Sequence, residues 1–81
     1  MQDQITLEVA TPNGVFTGSF PKTAKVEEVI AAVVAEKQLA EGDLFELFYN
    51  GEPLKPVQRP LVSFGLSGNV QLELVATGSG V

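Results

Sequence analysis

FELFYNGEPL, residues 45–54, reads as a strand that runs into a tight turn. The period of two places Phe45, Leu47 and Tyr49 on one face and Glu46 and Phe48 on the other. Asn50, Gly51 and Pro53 then supply the turn chemistry at NGEP. Phe48 breaks the pattern. A strand with one buried face carries polar residues on the other, and here a large aromatic stands among them.

Working outward, Ile5, Leu7 and Val9 alternate with Thr6, Glu8 and Ala10 as a strand with one buried face. The turn sequence TPNG, Thr11 to Gly14, leads into a second alternating run. There Phe16, Gly18 and Phe20 share one face and Val15, Thr17 and Ser19 the other, which completes a hairpin. After Pro21 the period changes. Val26, Val29, Ile30, Val33 and Val34 recur at spacings of three and four, the stripe of an amphipathic helix. Glu27 and Glu28 in its first turn and Lys37 near its last have the signs that the helix dipole favours. No Glu or Gln follows Thr23 by three residues, so a capping box from Thr23 is not expected. The helix is expected to stop near Leu39 or Ala40, with Gly42 just past its end.

Downstream of the opening stretch, KPVQRP (55–60) carries two prolines and suits neither a central strand nor a helix interior. Leu61, Phe64 and Leu66 then plug the core from a loop or one short helical turn. Residues 70–75 form the last strand, with Val70, Leu72 and Leu74 inward and Gln71, Glu73 and Val75 outward. ATGSGV follows with no pattern to hold it. The order of strand, strand, helix, strand, loop, strand requires a mixed sheet, with the last strand beside the first and the helix across one face. The expected division is a domain over residues 1–76 and a flexible tail over 77–81.

Eighty-one residues make one domain, whose folding buries about 60–65% of the surface of the unfolded chain. A hydrophobic fraction of 44% against 19% charged marks a packed globular chain. Cysteine and histidine are both absent, which removes thiolate nucleophiles, disulfides, the usual zinc sites and the commonest neutral-pH proton carrier. Ten acidic residues against five basic ones give a formal charge of −5, the wrong sign for binding nucleic acid or an anionic membrane. No signal peptide or membrane span is visible in the sequence. A cytoplasmic, monomeric protein without cofactors is expected.

The pieces ITLEV (5–9), a Val-rich helix opening six residues after Phe20, LFYNGEPL (47–54) and RPLVSFGLSGNVQLELV (59–75) form an ordered set. That set resembles ubiquitin and its relatives of the β-grasp fold, in which LFYNGEPL is similar to ubiquitin's LIFAGKQL. The resemblance spans about Ile5 to Val75. It implies an α+β fold with a mixed four- to five-stranded sheet and one helix packed across it. Among relatives, the chain looks most like small bacterial ubiquitin-like proteins encoded beside homologues of activating, conjugating and deconjugating enzymes. Sulfur carriers of cofactor synthesis share the fold, which by itself does not separate them.

In this family the C-terminal carboxylate of a Gly-Gly tail is adenylated and passed on as a thioester. Gly78, Ser79 and Gly80 occupy that position here, without a Gly-Gly pair and with Val81 after them. Val81 trimmed to expose Gly80, a tail used untrimmed or shortened relative to the natural gene, and an inert Gly/Ser linker are the three readings of this end. The resemblance also places Phe48 and Val75 on ubiquitin's exposed apolar patch, with Glu46 and Glu73 flanking them where ubiquitin is basic. Lone exposed apolar residues are also common without a role. A partner for this surface is expected to present basic residues around an apolar pocket. Lys22, Lys25, Lys37 and Lys55 are candidate acceptors for chains or plain surface lysines, and Glu52 stands where ubiquitin's main chain-linking lysine would be.

Adjacent Glu27 and Glu28 point about 100° apart on a helix and so do not form a carboxylate pair for acid–base work. Ser19, Ser63, Ser67 and Ser79 have no histidine to activate them. The expectation is a non-enzymatic protein modifier, with a non-covalent interaction module and a sulfur carrier as the alternatives. Its partners would be activating, conjugating or deconjugating enzyme homologues and target proteins.

Overall fold

The computed structural model describes residues 4–39 and 43–79. Strand β1 (Gln4–Thr11) and strand β2 (Gly14–Pro21) form the hairpin, and helix α1 spans Val26–Glu36. Strands β3 (Asp43–Tyr49) and β4 (Glu52–Pro53), a short 3-10 turn (Leu61–Phe64) and strand β5 (Asn69–Ser79) complete the chain. The five strands make one mixed sheet in the order β2-β1-β5-β3-β4. β5 lies parallel to β1 and antiparallel to β3, so the last strand sits beside the first as the connection rules require.

The expected core positions of β1 and β5 are buried, whereas on β2 and β3 the inward aromatics Phe16, Phe20, Phe45 and Tyr49 are only half-buried against the core. Ile5, Leu7 and Val9 of β1, Leu47 of β3, and Val70, Leu72 and Leu74 of β5 are each at most 5% exposed. Val26, Val29 and Val33 of α1 pack onto them, with Ile30 and Val34 half-buried beside them. Leu61 and Leu66 close the end of the core from the 3-10 turn and the loop after it.

The helix ends differ from the reading of the sequence at both termini. The N-cap is Lys25, in an extended conformation, and the Glu28 carboxylate three residues on accepts its backbone N–H at 2.7 Å. That is the reach-back half of a capping box, set at Lys25 rather than at Thr23. At the other end the helix stops at Glu36 because Gln38 turns left-handed, with φ of 54°. The N–H of Gln38 bonds Ala35 O and that of Leu39 bonds Val34 O, the paired bonds of a Schellman stop. Gly42, the expected stop, lies outside the described residues. The tip of the β1–β2 hairpin also docks here, with Asn13 Nδ2 donating to the Lys37 carbonyl at 3.0 Å. An orphan helix carbonyl is thereby satisfied from a distant turn.

The last strand is longer than expected. It runs past Val75 to Ser79, with Phe45 opposite Ala76, Leu44 opposite Gly78 and Asp43 opposite Ser79. Thr77 is the extra residue of a β-bulge there, and its hydroxyl donates to the Leu44 carbonyl at 3.3 Å. Residues 77–79 therefore belong to the sheet rather than to an unpaired tail. The bulge admits an extra residue into the ladder, so the loss of alternation after Val75 does not end the pairing.

Candidate functional site

With the helix covering one face of the sheet, the opposite face is built from the residues that alternate away from the core. The strand registers arrange these in rows. Val15 pairs with Ala10, Ala10 with Glu73, and Glu73 with Phe48, so one row crosses four strands with a single carboxylate interrupting it. In the adjacent row Glu46 pairs with Val75. Phe48 and Val75 are thus diagonal neighbours on one face, each directly opposite a glutamate.

Phe48 is half-buried, while Val15 and Val75 are 59% and 40% exposed. A shallow depression runs between Phe48, Ala10 and Val15, with Glu8, Gln71 and Glu73 around it. The apolar company of Phe48 within this depression comes from the hairpin, through Ala10 and Val15, and Val75 lies to one side. Alternation alone puts Ala10 and Val15 on this face, but their pairing follows from closure of the hairpin at Thr11 and Gly14. The TPNG turn thus carried the signal that could have located them.

Charge is distributed unevenly around the patch. Lys55 Nζ lies 2.7 Å from the Glu46 carboxylate, so the charge of Glu46 is met within the chain. Glu8 and Glu73 are exposed and have no salt-bridge partner among the described residues. The negative field of this face therefore centres on the depression beside Phe48 rather than on Glu46.

Gly78 and Ser79 lie at the end of β5, where the strand pairs with β3 alone, because β1 pairs with β5 only as far as Glu73. Gly80, the third residue of the expected activation tail, lies outside the described residues. Lys22, Lys25 and Lys55 are exposed, and Lys37 is partly covered at the helix C-cap. Among the described residues, no group of three or more acidic, cysteine or histidine side chains is placed to hold a metal. No helix among them is long and apolar enough to cross a membrane.

No protein-family model matches the chain, and no curated protein does. Solved structures do. The ubiquitin of Caldiarchaeum subterraneum superposes with a TM-score of 0.79 at 22% identity, over 96% of this chain and 99% of that one. The ubiquitin-like domain of an Arabidopsis thaliana protein gives 0.80 at 18% identity, over 99% of this chain and 84% of that one. A designed protein based on ubiquitin gives 0.81 at 20% identity, over 96% and 94%. The fold is the ubiquitin-like β-grasp, an α+β arrangement of a mixed sheet with one helix across it.

Proposed function

We infer that this domain acts by being bound, as a ubiquitin-like protein that docks protein partners through the outer face of its sheet. Phe48 carries the reading. A half-buried aromatic in the middle of an otherwise solvated strand face adds hydrophobic surface that folding alone does not need. Its neighbours Ala10 and Val15 extend that surface, and the unmatched carboxylates of Glu8 and Glu73 select a partner whose apolar element is flanked by Lys or Arg. Val75 and the Glu46–Lys55 pair form the polar-edged rim. Phe48→Glu tests this: it should leave the circular dichroism spectrum unchanged and abolish partner binding. Full binding by a folded Phe48→Glu protein would refute the docking surface.

The finer reading is a modifier of a bacterial conjugation-type pathway, working in the cytoplasm and activated through Gly78, Ser79 and Gly80. The feature that favours it is the one-sided pairing of β5 beyond the bulge. A short stretch held by β3 alone peels from the sheet more readily than one held on both sides, which would let an extended tail enter an enzyme channel. Mass spectrometry of N-terminally tagged protein from its native cells tests this step. A tail-derived branch on the lysines of other proteins is expected, whereas a free, unbranched C-terminus throughout would leave only the non-covalent module.

A further inference from the structure

A second surface, on another side of the molecule, has a different character. β4 is only Glu52–Pro53, so it covers β3 at Phe48 and Tyr49, and the next residue, Leu54, donates its N–H to the Leu47 carbonyl at 2.8 Å. The chain then leaves β3 and crosses to the start of α1, where Val57 O accepts the Glu27 N–H. In an antiparallel strand the N–H and C=O of one residue point to the same side and alternate along the chain. Because Leu47 points its carbonyl toward β4, Phe45 points both its N–H and its C=O to that side as well. Among the described residues no strand pairs with β3 there.

The bare edge runs along an apolar trough. The trough is made of two depressions that meet at Leu44 and Phe45, one lined by Ile30, Ala31 and Val34 of α1 and the other by Leu54, Val57 and the Glu46–Lys55 pair, and Leu44 is 60% exposed. An exposed edge with a large aliphatic beside it is the combination that proteins otherwise blunt with charge or cover. The amide and carbonyl of Phe45, without a backbone partner on this side among the described residues, specify what fits. Another extended backbone supplies an acceptor and a donor at strand spacing, while alternate side chains of that segment drop onto the trough. Glu27, exposed on the helix side, has no salt-bridge partner among the described residues, while Lys55 on the other side is taken up by Glu46, so the unmatched charge beside the edge is negative.

We propose that the open edge of β3, between α1 and the 54–57 segment, binds an extended peptide of a partner protein by strand addition, continuing the line of β4. The peptide carries aliphatic residues at alternate positions and basic residues at its ends. This site shares no residue with the depression around Phe48, and only the Glu46–Lys55 pair borders both surfaces, so Phe48→Glu separates the two readings.

The test is an NMR titration of the isotopically labelled protein with the synthetic peptide acetyl-Lys-Ile-Thr-Val-Lys-amide up to millimolar concentration. Saturable shifts are expected at Leu44, Phe45, Ala31 and Val34, together with slowed hydrogen exchange of the Phe45 amide. N-methylation of the peptide on its bonding edge should weaken binding about tenfold, the equivalent of one hydrogen-bonded pair. Ala31→Arg, at an exposed helix position where a good helix former is tolerated, should block the trough, and Phe48→Glu should bind the peptide as the parent does. The proposal is overturned by no saturable shift, by shifts centred on Phe48 and Ala10, by equal binding of the N-methylated peptide, or by a dimer in which a second copy already fills the edge.

Discussion

At the residue scale, backbone conformation and close approach decide which side chains are replaceable. Asn50 and Gly51 both have positive φ, 53° and 82°, which is the primed turn that matches the twist of a two-residue hairpin. Open space surrounds Gly51, so Gly51→Ala meets no clash and is predicted to cost about 1 kcal/mol through backbone strain alone. A urea denaturation curve checks it. Gly18 is the opposite case. A Cβ there would lie 2.9 Å from the Phe16 ring, which leans over the glycine toward Phe20 with centroids 6.1 Å apart. Gly18→Val is therefore predicted to displace the rings and cost about 1–3 kcal/mol by overpacking, measured the same way. The Glu46–Lys55 pair is short but exposed on the lysine side, so Lys55→Ala should change stability by less than about 1 kcal/mol.

At the element scale, the helix stop gives a prediction of opposite sign. Gln38 adopts the left-handed conformation that glycine takes without penalty, so Gln38→Gly should stabilise the domain by about 0.5–1 kcal/mol despite its greater freedom when unfolded. A rise in denaturation midpoint is expected. The same residue explains why the sequence misleads about the helix end: glutamine carries no stop signal, and Gly42 does. The strands were legible because period two and burial coincide in β1 and β5, while β3 was read from its alternation and the turn after it although only Leu47 of it is fully buried, and the valine stripe gave α1 its face. The extent of β5 was not legible. Its last residues are held by a bulge at Thr77 and by pairing with the start of β3, and both depend on partners more than thirty positions away in the chain.

The outer face was legible in part for the same reason. Alternation put Phe48 and Val75 on one side, and strand order brought their strands together, but which residues adjoin Phe48 depends on register across four strands. The contribution of Ala10 and Val15 comes from that register. So does the shift of the negative field from Glu46 toward Glu8 and Glu73, because the partner of Glu46 is a lysine beyond the NGEP turn.

At the scale of the whole molecule, the sheet has a face closed by the helix and a face that no described element covers. On the proposed reading partners sit on that open face, with Phe48 at its centre. The most direct measurement places a benzophenone side chain at Gln71, exposed beside Phe48 on that face, and irradiates the native cells. Discrete protein adducts from position 71 are expected, and they should disappear when Phe48→Glu is introduced into the same chain. Adducts that persist unchanged with Phe48→Glu, or no adducts from position 71 at all, would contradict that reading.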